Sequence, residues 1–301
     1  MYVVIVVEFK TLMLKSLKSN ASKAYLTLLM QSPVQRMLLP FGHPLNPDRW
    51  IFVVGCYNSG TTLLASMLRQ HPMLAGMLNE GAFLTDRLPY PEQMGWPRMW
   101  SQCLDHVRVS SNEPDAAERA ERIKRHWSLW YSRGSKNLIE KSITNLTRMP
   151  YLQEYFKPAY FIYIVRNGYA VSKGIQRKAN YKRWDSPYRG NGYPIDLCAE
   201  QWKVSDDIAQ VDGALLDNFL TITYEDLTED PASALHKITT FLDIPPMPES
   251  VLGLGWNIHD VDSKIKNMNA YSIKSLSSED VLSIKAVAEG TLKKYGYVCP
   301  M

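Results

Sequence analysis

The chain has few cysteines, no long apolar run and little net charge, and each shortage narrows what it can be. Its four cysteines, Cys56, Cys103, Cys198 and Cys299, include no CxxC pair and no spacing suited to a metal. That argues against a zinc module and against a disulfide scaffold. The four read as reduced thiols in a reducing compartment, with two disulfides as the open alternative. The opening MYVVIVVEF is apolar but far too short to span a bilayer, and it lacks the basic lead of a signal peptide. The expectation is a soluble, cytoplasmic protein without a membrane span, although a lumenal enzyme separated from its anchor would read alike. A net charge of +4, dispersed along the chain, suits an anionic ligand. It gives no support for nucleic acid, which calls for a concentrated basic face. No internal repeat or low-complexity tract occurs.

What is present is an ordinary globular composition, 46% hydrophobic and 21% charged over 301 residues, enough to bury a sizeable core. Residues 1–45 read as an N-terminal helical extension. Within it, 11–31 (TLMLKSLKSNASKAYLTLLMQ) holds apolar residues and lysines at partly helical spacing. Such a helix packs on the domain or, alternatively, meets a membrane surface or a partner. Pro40, Pro44 and Pro47 mark a loop, and residues 46–301 read as a single domain.

That domain is organised around WIFVVGCYNSGTTLLASMLRQHP, residues 50–72. Ile51–Val54 is a compact β-branched and apolar run, the pattern of a buried strand. Gly55–Gly60 is a flexible turn, and Leu64, Met67 and Leu68 then recur at helical spacing. The pattern Gly55-x4-Gly60-Thr61-Thr62 is that of a P-loop with Thr61 where lysine usually stands. Glycines let backbone N–H groups close on an anion, and a helix N-terminus adds partial positive charge. Without lysine the loop is ill equipped for a triphosphate with Mg²⁺. A phosphate carrying one sulfonate suits it better. An ordinary Gly/Thr-rich strand-to-helix turn is the alternative.

Downstream, 137–142 reads as a short strand ending in a polar loop, and further strands are expected at 160–165 (YFIYIV) and 219–223. Helices are expected at 61–70, 115–133, 146–156, 169–178, 197–210, 230–242 and 278–294. Strands alternating with helices predict an α/β fold: a P-loop-type doubly wound parallel sheet flanked by helices. Lys141 and Arg166 fall just past predicted strand ends, as the glycine loop does, so three polar sites should meet at one sheet edge. Residues 85–114 are irregular and rich in Pro, Trp and Met, and a long loop of this kind is often functional. Its Tyr90, Trp96 and Trp100 line an acceptor site or form a satellite core. His71, before a proline at a helix end, reads as structural.

Four stretches in order resemble the sulfotransferases that use 3′-phosphoadenosine 5′-phosphosulfate (PAPS). GCYNSGTTLLASMLRQHP is similar to the family's 5′-phosphosulfate loop. EKSITNLTRMPYL resembles its glutamate-lysine-serine segment. FIYIVRNGYAV resembles its 3′-phosphate strand, and ITYEDLTEDPASALHKITTFLDI its YEDL segment. With the final KKYGY, the resemblance spans roughly residues 50–297. It is closest in style to bacterial and to tyrosylprotein- or carbohydrate-type members, and Glu80 stands where the tyrosylprotein branch shows a glutamate. Two positions depart: Asn58 replaces a basic residue of the loop, and Gly174 replaces a serine eight residues after the arginine. Ser172, Arg177 and Lys178 are the candidates to stand in for it.

The resemblance implies transfer of a sulfuryl group from PAPS to an acceptor hydroxyl (a sugar, a tyrosine or a small metabolite) by in-line displacement, with no metal. It places the backbone of 58–62 (Asn58, Ser59, Gly60, Thr61 and Thr62), with the hydroxyls of Thr61 and Thr62, on the phosphosulfate. Arg166 falls on the 3′-phosphate, and Tyr224 against the cofactor. Glu80 is the candidate general base, and Lys141 the cation facing the sulfonate or bridging oxygen. The rivals are a P-loop kinase or other nucleotide-binding enzyme, disfavoured by Thr61, and a weakened binding protein of the same fold.

Overall fold

Two apolar runs form the centre of the sheet because neither carries a side chain that could face water. In the computed structural model, which describes residues 25, 27–77, 79–179, 186–249, 256–258, 261–263 and 265–300, these runs are β1 (Arg49–Gly55) and β4 (Ala159–Val165). They pair in parallel from Trp50↔Ala159 to Gly55↔Ile164. β3 (Asn137–Glu140) pairs with the other side of β1. β2 (Leu74–Gly76) and β5 (Phe219–Thr223) lie outermost, giving the all-parallel order β2-β3-β1-β4-β5.

A parallel sheet must be covered on both faces, and successive side chains of a strand point to opposite faces. β1 shows the consequence. Trp50, Phe52 and Val54 enter one apolar core with Trp127, Tyr151, Phe156 and Phe161. Ile51 and Val53 enter another with Leu64, Met67, Ile164, Leu235 and Ile238. The aromatic side is tightly interlocked: Phe156 meets Trp50 edge-on at 5.1 Å between centroids and Phe52 at 5.9 Å. The fold is thus the expected doubly wound α/β sheet. Its strand order reverses about β1, and ligands of such sheets bind outside the carboxyl ends of the strands at that reversal.

Local differences from the expected elements have local causes. β2 has three residues, too few to show a period. Tyr224–Glu229, the segment after the strand, is a helical turn because the Thr223 hydroxyl accepts the Asp226 N–H at 3.0 Å. The helix expected at 146–156 begins as a 3₁₀ segment, Ile143–Arg148, and becomes α-helical over Met149–Tyr155. Residues 81–107 are a succession of short helical turns. There Trp100 is fully buried core, whereas Trp96 stacks on Tyr193 at 6.3 Å and meets Tyr188 at 5.8 Å.

Most of the helix expected at 11–31 lies outside the described residues, as do residues 180–185 of the loop after Lys178. The part that follows, with a helix at Ser32–Leu38, docks through Gln35 and His126. The His126 Nε2–H donates to the Gln35 carbonyl at 3.0 Å, and its Nδ1 faces the Thr85 hydroxyl at 2.9 Å. Thr85 Oγ1 already accepts the Arg87 amide, so its own proton is available to a neutral imidazole. Burial holds the His126 pKa below its usual value, against the nearby Asp86 and alongside the Arg122 and Arg87 charges. A depressed histidine pKa contributes stability that is complete above the unfolded value of about 6.5 and is lost as pH falls toward the folded value. The wild type should therefore lose more stability between about pH 7.5 and 5.5 than His126→Gln, at up to ~1.4 kcal/mol per pH unit. Urea midpoints at the two pH values check this, and parallel losses would remove His126 as the cause. Among the described residues, no helix is long and apolar enough to cross a membrane.

Candidate active site

The glycine loop leaves β1 at Gly55 and enters the helix Thr61–Leu68 at the reversal of strand order. Gly60 has φ +98°, and a Cβ there would lie 2.6 Å from the Tyr224 ring. Glycine is therefore required by conformation and by close approach alike. Asn58 is also left-handed, at φ 63°. The loop's own chemistry is incomplete: the Asn58 amide Nδ2, the Ser59 hydroxyl and the Arg166 Nη2 are buried without a partner. All three can donate a hydrogen bond. A buried donor left unmatched costs about 1–3 kcal/mol, so the cluster is built for a group rich in acceptor oxygens.

Arg166, the first residue past β4, is locked in place. Nη1 donates to the Asn58 carbonyl at 2.9 Å, and Nε donates to Asn269 Oδ1 at 2.7 Å. The guanidinium lies 4.2 Å from the Tyr224 ring centroid, and the Trp202 indole N–H donates to the Arg166 carbonyl at 3.0 Å. Burial lowers the Arg166 pKa, opposed by Tyr224 and Glu225. Tyr224 itself donates to the Lys266 carbonyl and accepts the Met268 amide, both at 3.2 Å. The terminal KKYGY closes this wall. Tyr297 donates to Glu225 at 3.0 Å, and Glu225 in turn accepts from the Asn167 amide and the Asn269 side chain.

The two departures from the family pattern touch each other. A Cβ at Gly174 would lie 3.1 Å from Asn58 Cβ and Cγ, so a larger residue at one position constrains the other. Of the candidates to replace the serine, Ser172 is fully buried and returns its hydroxyl to the Gly168 carbonyl at 2.8 Å. It is unsuited to reach a ligand. The Arg177 guanidinium lies over Tyr271 at 5.1 Å. The Lys178 pKa is lowered, by burial first and then by the Arg98, Arg177 and Arg166 charges.

On the other side of the loop, Lys141 Nζ and Glu80 Oε1 form an ion pair at 2.7 Å, with about a fifth of each side chain exposed (18% and 21%). Glu140 holds the two segments that carry them together, a role the sequence reading missed. Fully buried, it accepts from the Gly81 amide at 2.7 Å, the Ser142 hydroxyl at 2.6 Å and the Asn145 side chain. Ser142 Oγ also accepts the Ala82 amide at 2.9 Å. Burial raises the Glu140 pKa, opposed by Ser142 and Gly81. An acidic residue closing an otherwise apolar strand (Asn137-Leu138-Ile139-Glu140) was the available signal. Tyr57, next to Asn58, is buried, which raises its pKa, and the Glu92 and Glu80 charges push the same way. His71 is structural: Nδ1 accepts the Met73 amide at 3.2 Å, leaving Nε2–H for the Pro245 carbonyl at 2.9 Å. A polar cavity of about 440 Å³, lined by Gln35, Asp86, Arg87 and Arg119 among others, touches none of these site residues.

A glycine loop without its lysine, with Lys141 and Arg166 just past neighbouring strand ends, defines an α/β protein of the P-loop type that departs from the triphosphate pattern. A sequence model of the Sulfotransferase family matches residues 50–249, and the chain belongs to that family. It is 30% identical over 203 residues to protein-tyrosine sulfotransferase 1 of Danio rerio, covering 65% of this chain and 53% of that protein. It is 28% identical to protein-tyrosine sulfotransferase 2 of Gallus gallus, covering 64% of this chain and 51% of that one. The chain thus spans about half the length of these relatives. Among solved structures, the sulfotransferase domain of the Synechococcus PCC 7002 olefin synthase shares the fold, with a TM-score of 0.54 at 22% identity over 86% of this chain and 98% of that one.

Proposed function

We propose that this protein transfers a sulfuryl group from PAPS to an acceptor hydroxyl. One observation carries the reading beyond the family: the buried, unmatched donors of Asn58, Ser59 and Arg166 converge on the loop, beside an adjacent ion-paired glutamate and lysine. Anionic oxygens fit the first group, and proton removal beside a stabilising cation fits the second. When bound, PAPS supplies the sulfuryl group, which passes in line to the acceptor oxygen and leaves adenosine 3′,5′-bisphosphate. The chain's own residues do the rest. Loop amides with Ser59, Thr61 and Thr62 hold the 5′ end. Arg166, with a free Nη2 on a planar fork, holds the 3′-phosphate. Tyr224 fixes the Arg166 plane. Glu80 takes the acceptor proton, and Lys141 offers positive charge where negative charge develops.

The same proposal includes a catalytic unit over residues 46–301 with residues 1–45 appended, supported by the docking of Gln35 onto His126. It also includes a reducing, cytoplasmic setting, supported by four free thiols of which three are buried. The acceptor is taken at the hydroxyl class alone, and no metal is assigned.

A thermal-shift titration tests the donor. Adenosine 3′,5′-bisphosphate at a hundred times its Kd should stabilise the protein by about 2.7 kcal/mol. A shift with ATP and Mg²⁺ alone would replace this reading with a kinase-like one, and no shift with either would leave a fold without its donor site.

A further inference from the structure

The phosphosulfate loop has no cation of its own, since Asn58 stands at the basic position and Thr61 at the P-loop lysine. Arg166 is drawn toward the 3′ side by Asn269 and Tyr224, and Lys141 is paired with Glu80. One more cation stands beside the loop. Arg98 follows the turn Pro91–Met94, in the irregular segment after Glu80, and has φ +62°. Among the described non-glycine residues only Asn58, Arg98 and Asp243 have positive φ. Such strain persists where the surroundings impose it, and it clusters at functional sites.

Arg98 lies beside Tyr57, the residue that precedes Asn58 in the loop, with its guanidinium 5.7 Å from the ring centroid. Its amide donates to Glu92 Oε1 at 3.3 Å, which anchors the turn. Its charge also acts on Lys178, and Lys178 lies one helical turn beyond Gly174, the residue in contact with Asn58. Residues four apart share a helix face, so Lys178 lies on the face of its helix that carries Gly174. Among the described residues the Arg98 guanidinium has no ion pair within 4.0 Å and no hydrogen bond. The acid nearest to it in sequence, Glu92, is pushed up to about 7 by burial, and so offers only part of a negative charge near neutral pH.

We propose that Arg98, reaching over Tyr57 from the acceptor-side loop, supplies the positive charge that Asn58 leaves out of the phosphosulfate loop. It binds the sulfonate end of the donor. This rests on the sulfuryl-transfer reading. It also accounts for the Asn58–Gly174 contact: a small neutral residue at 58, fitted against a glycine, leaves room above the loop for a guanidinium arriving from outside.

The test is calorimetric binding of PAPS without acceptor, with turnover measured in parallel, for wild type, Arg98→Ala, Arg98→Lys and the double variant Arg98→Ala with Asn58→Lys. Loss of one charge-assisted hydrogen bond predicts PAPS binding weaker by tenfold to about a hundredfold in Arg98→Ala, and less dependent on salt. Arg98→Lys should keep most of the affinity. The double variant should regain about tenfold over Arg98→Ala, because the charge has moved to the loop. A purely structural Arg98 predicts neither the change in salt slope nor rescue by a lysine at position 58. Thermal melting of each variant separates folding defects from binding defects. Wild-type affinity in Arg98→Ala overturns the proposal, as does a loss in a folded variant that Asn58→Lys cannot repair. If the wild type binds neither PAPS nor the bisphosphate, the sulfuryl-transfer reading falls and this proposal with it.

Discussion

Replacing Glu80 by glutamine should lower kcat by about a thousandfold while changing affinity for adenosine 3′,5′-bisphosphate by less than about threefold. General bases contribute about 10²–10⁴ to rate, and glutamine keeps the shape and the hydrogen-bond acceptor while losing the ability to take a proton. The separation of effects follows from position. Glu80 follows β2 and pairs with Lys141 past β3 at 2.7 Å, whereas Arg166 follows β4 and is bonded to Asn58 and Asn269. About a fifth of each side chain in that pair stays in contact with solvent, and glutamine keeps a carbonyl oxygen that can accept from Lys141 Nζ, so the fold should survive the change. Product affinity and kcat, measured on one preparation, give the answer. A kcat within about tenfold of wild type would remove Glu80 as the base. Parallel loss of product affinity would instead mean that Glu80 shapes the donor site.

The geometry also explains why Glu80 and Lys141 come as a pair. Glu80 stands on the segment after β2, and Lys141 on the end of β3, two neighbouring parallel strands whose connection is long. Nothing in either local sequence fixes their separation. Glu140 does so, because one buried carboxylate accepts from Gly81 on the first segment and from Ser142 on the second. A buried charged or polar group is stable only when such bonds are made, so the loss of any one of them would also loosen the spacing of Glu80 and Lys141.

Much of this was legible from residue order. The runs at 51–54 and 160–165 could only be buried strands, and strands alternating with helices made the parallel sheet nearly unavoidable. Once the sheet was parallel, the loop after Gly55, Lys141, Arg166 and Tyr224 all fell at carboxyl ends. What was hidden depends on distance in three dimensions. β2 pairs only because β3 presents its edge. The Asn58–Gly174 contact joins two departures 116 positions apart (174 minus 58) that read singly as weaknesses. Trp100 and Trp96 looked equivalent in the sequence, yet Trp100 is fully buried whereas Trp96 is half-buried at the edge of the core, against the ring pair Tyr188–Tyr193. Glu225 read as part of a motif, whereas its work is to hold Asn167, Asn269 and Tyr297 around the arginine.

Replacing Arg166 by alanine should weaken binding of adenosine 3′,5′-bisphosphate by about 10²–10³-fold, the cost of removing one partner of a desolvated, charge-assisted contact. Loss of affinity alone would not identify the 3′-phosphate, because Arg166 also ties the Asn58 carbonyl to Asn269 and Tyr224. Adenosine 5′-monophosphate, which lacks that phosphate, supplies the comparison. If Arg166 reads the 3′-phosphate, the wild type prefers the bisphosphate and the alanine variant binds the two nucleotides alike; the difference between the two preferences is the interaction itself. If Arg166 only props the loop, both nucleotides weaken together and the preference survives, which would move 3′-phosphate recognition to Lys178 or Arg177. Arg166→Lys sharpens the distinction. An ammonium restores charge but not the planar fork that reaches Asn58, Asn269 and a ligand at once, so it should recover part of the preference and little of the bond to Asn58.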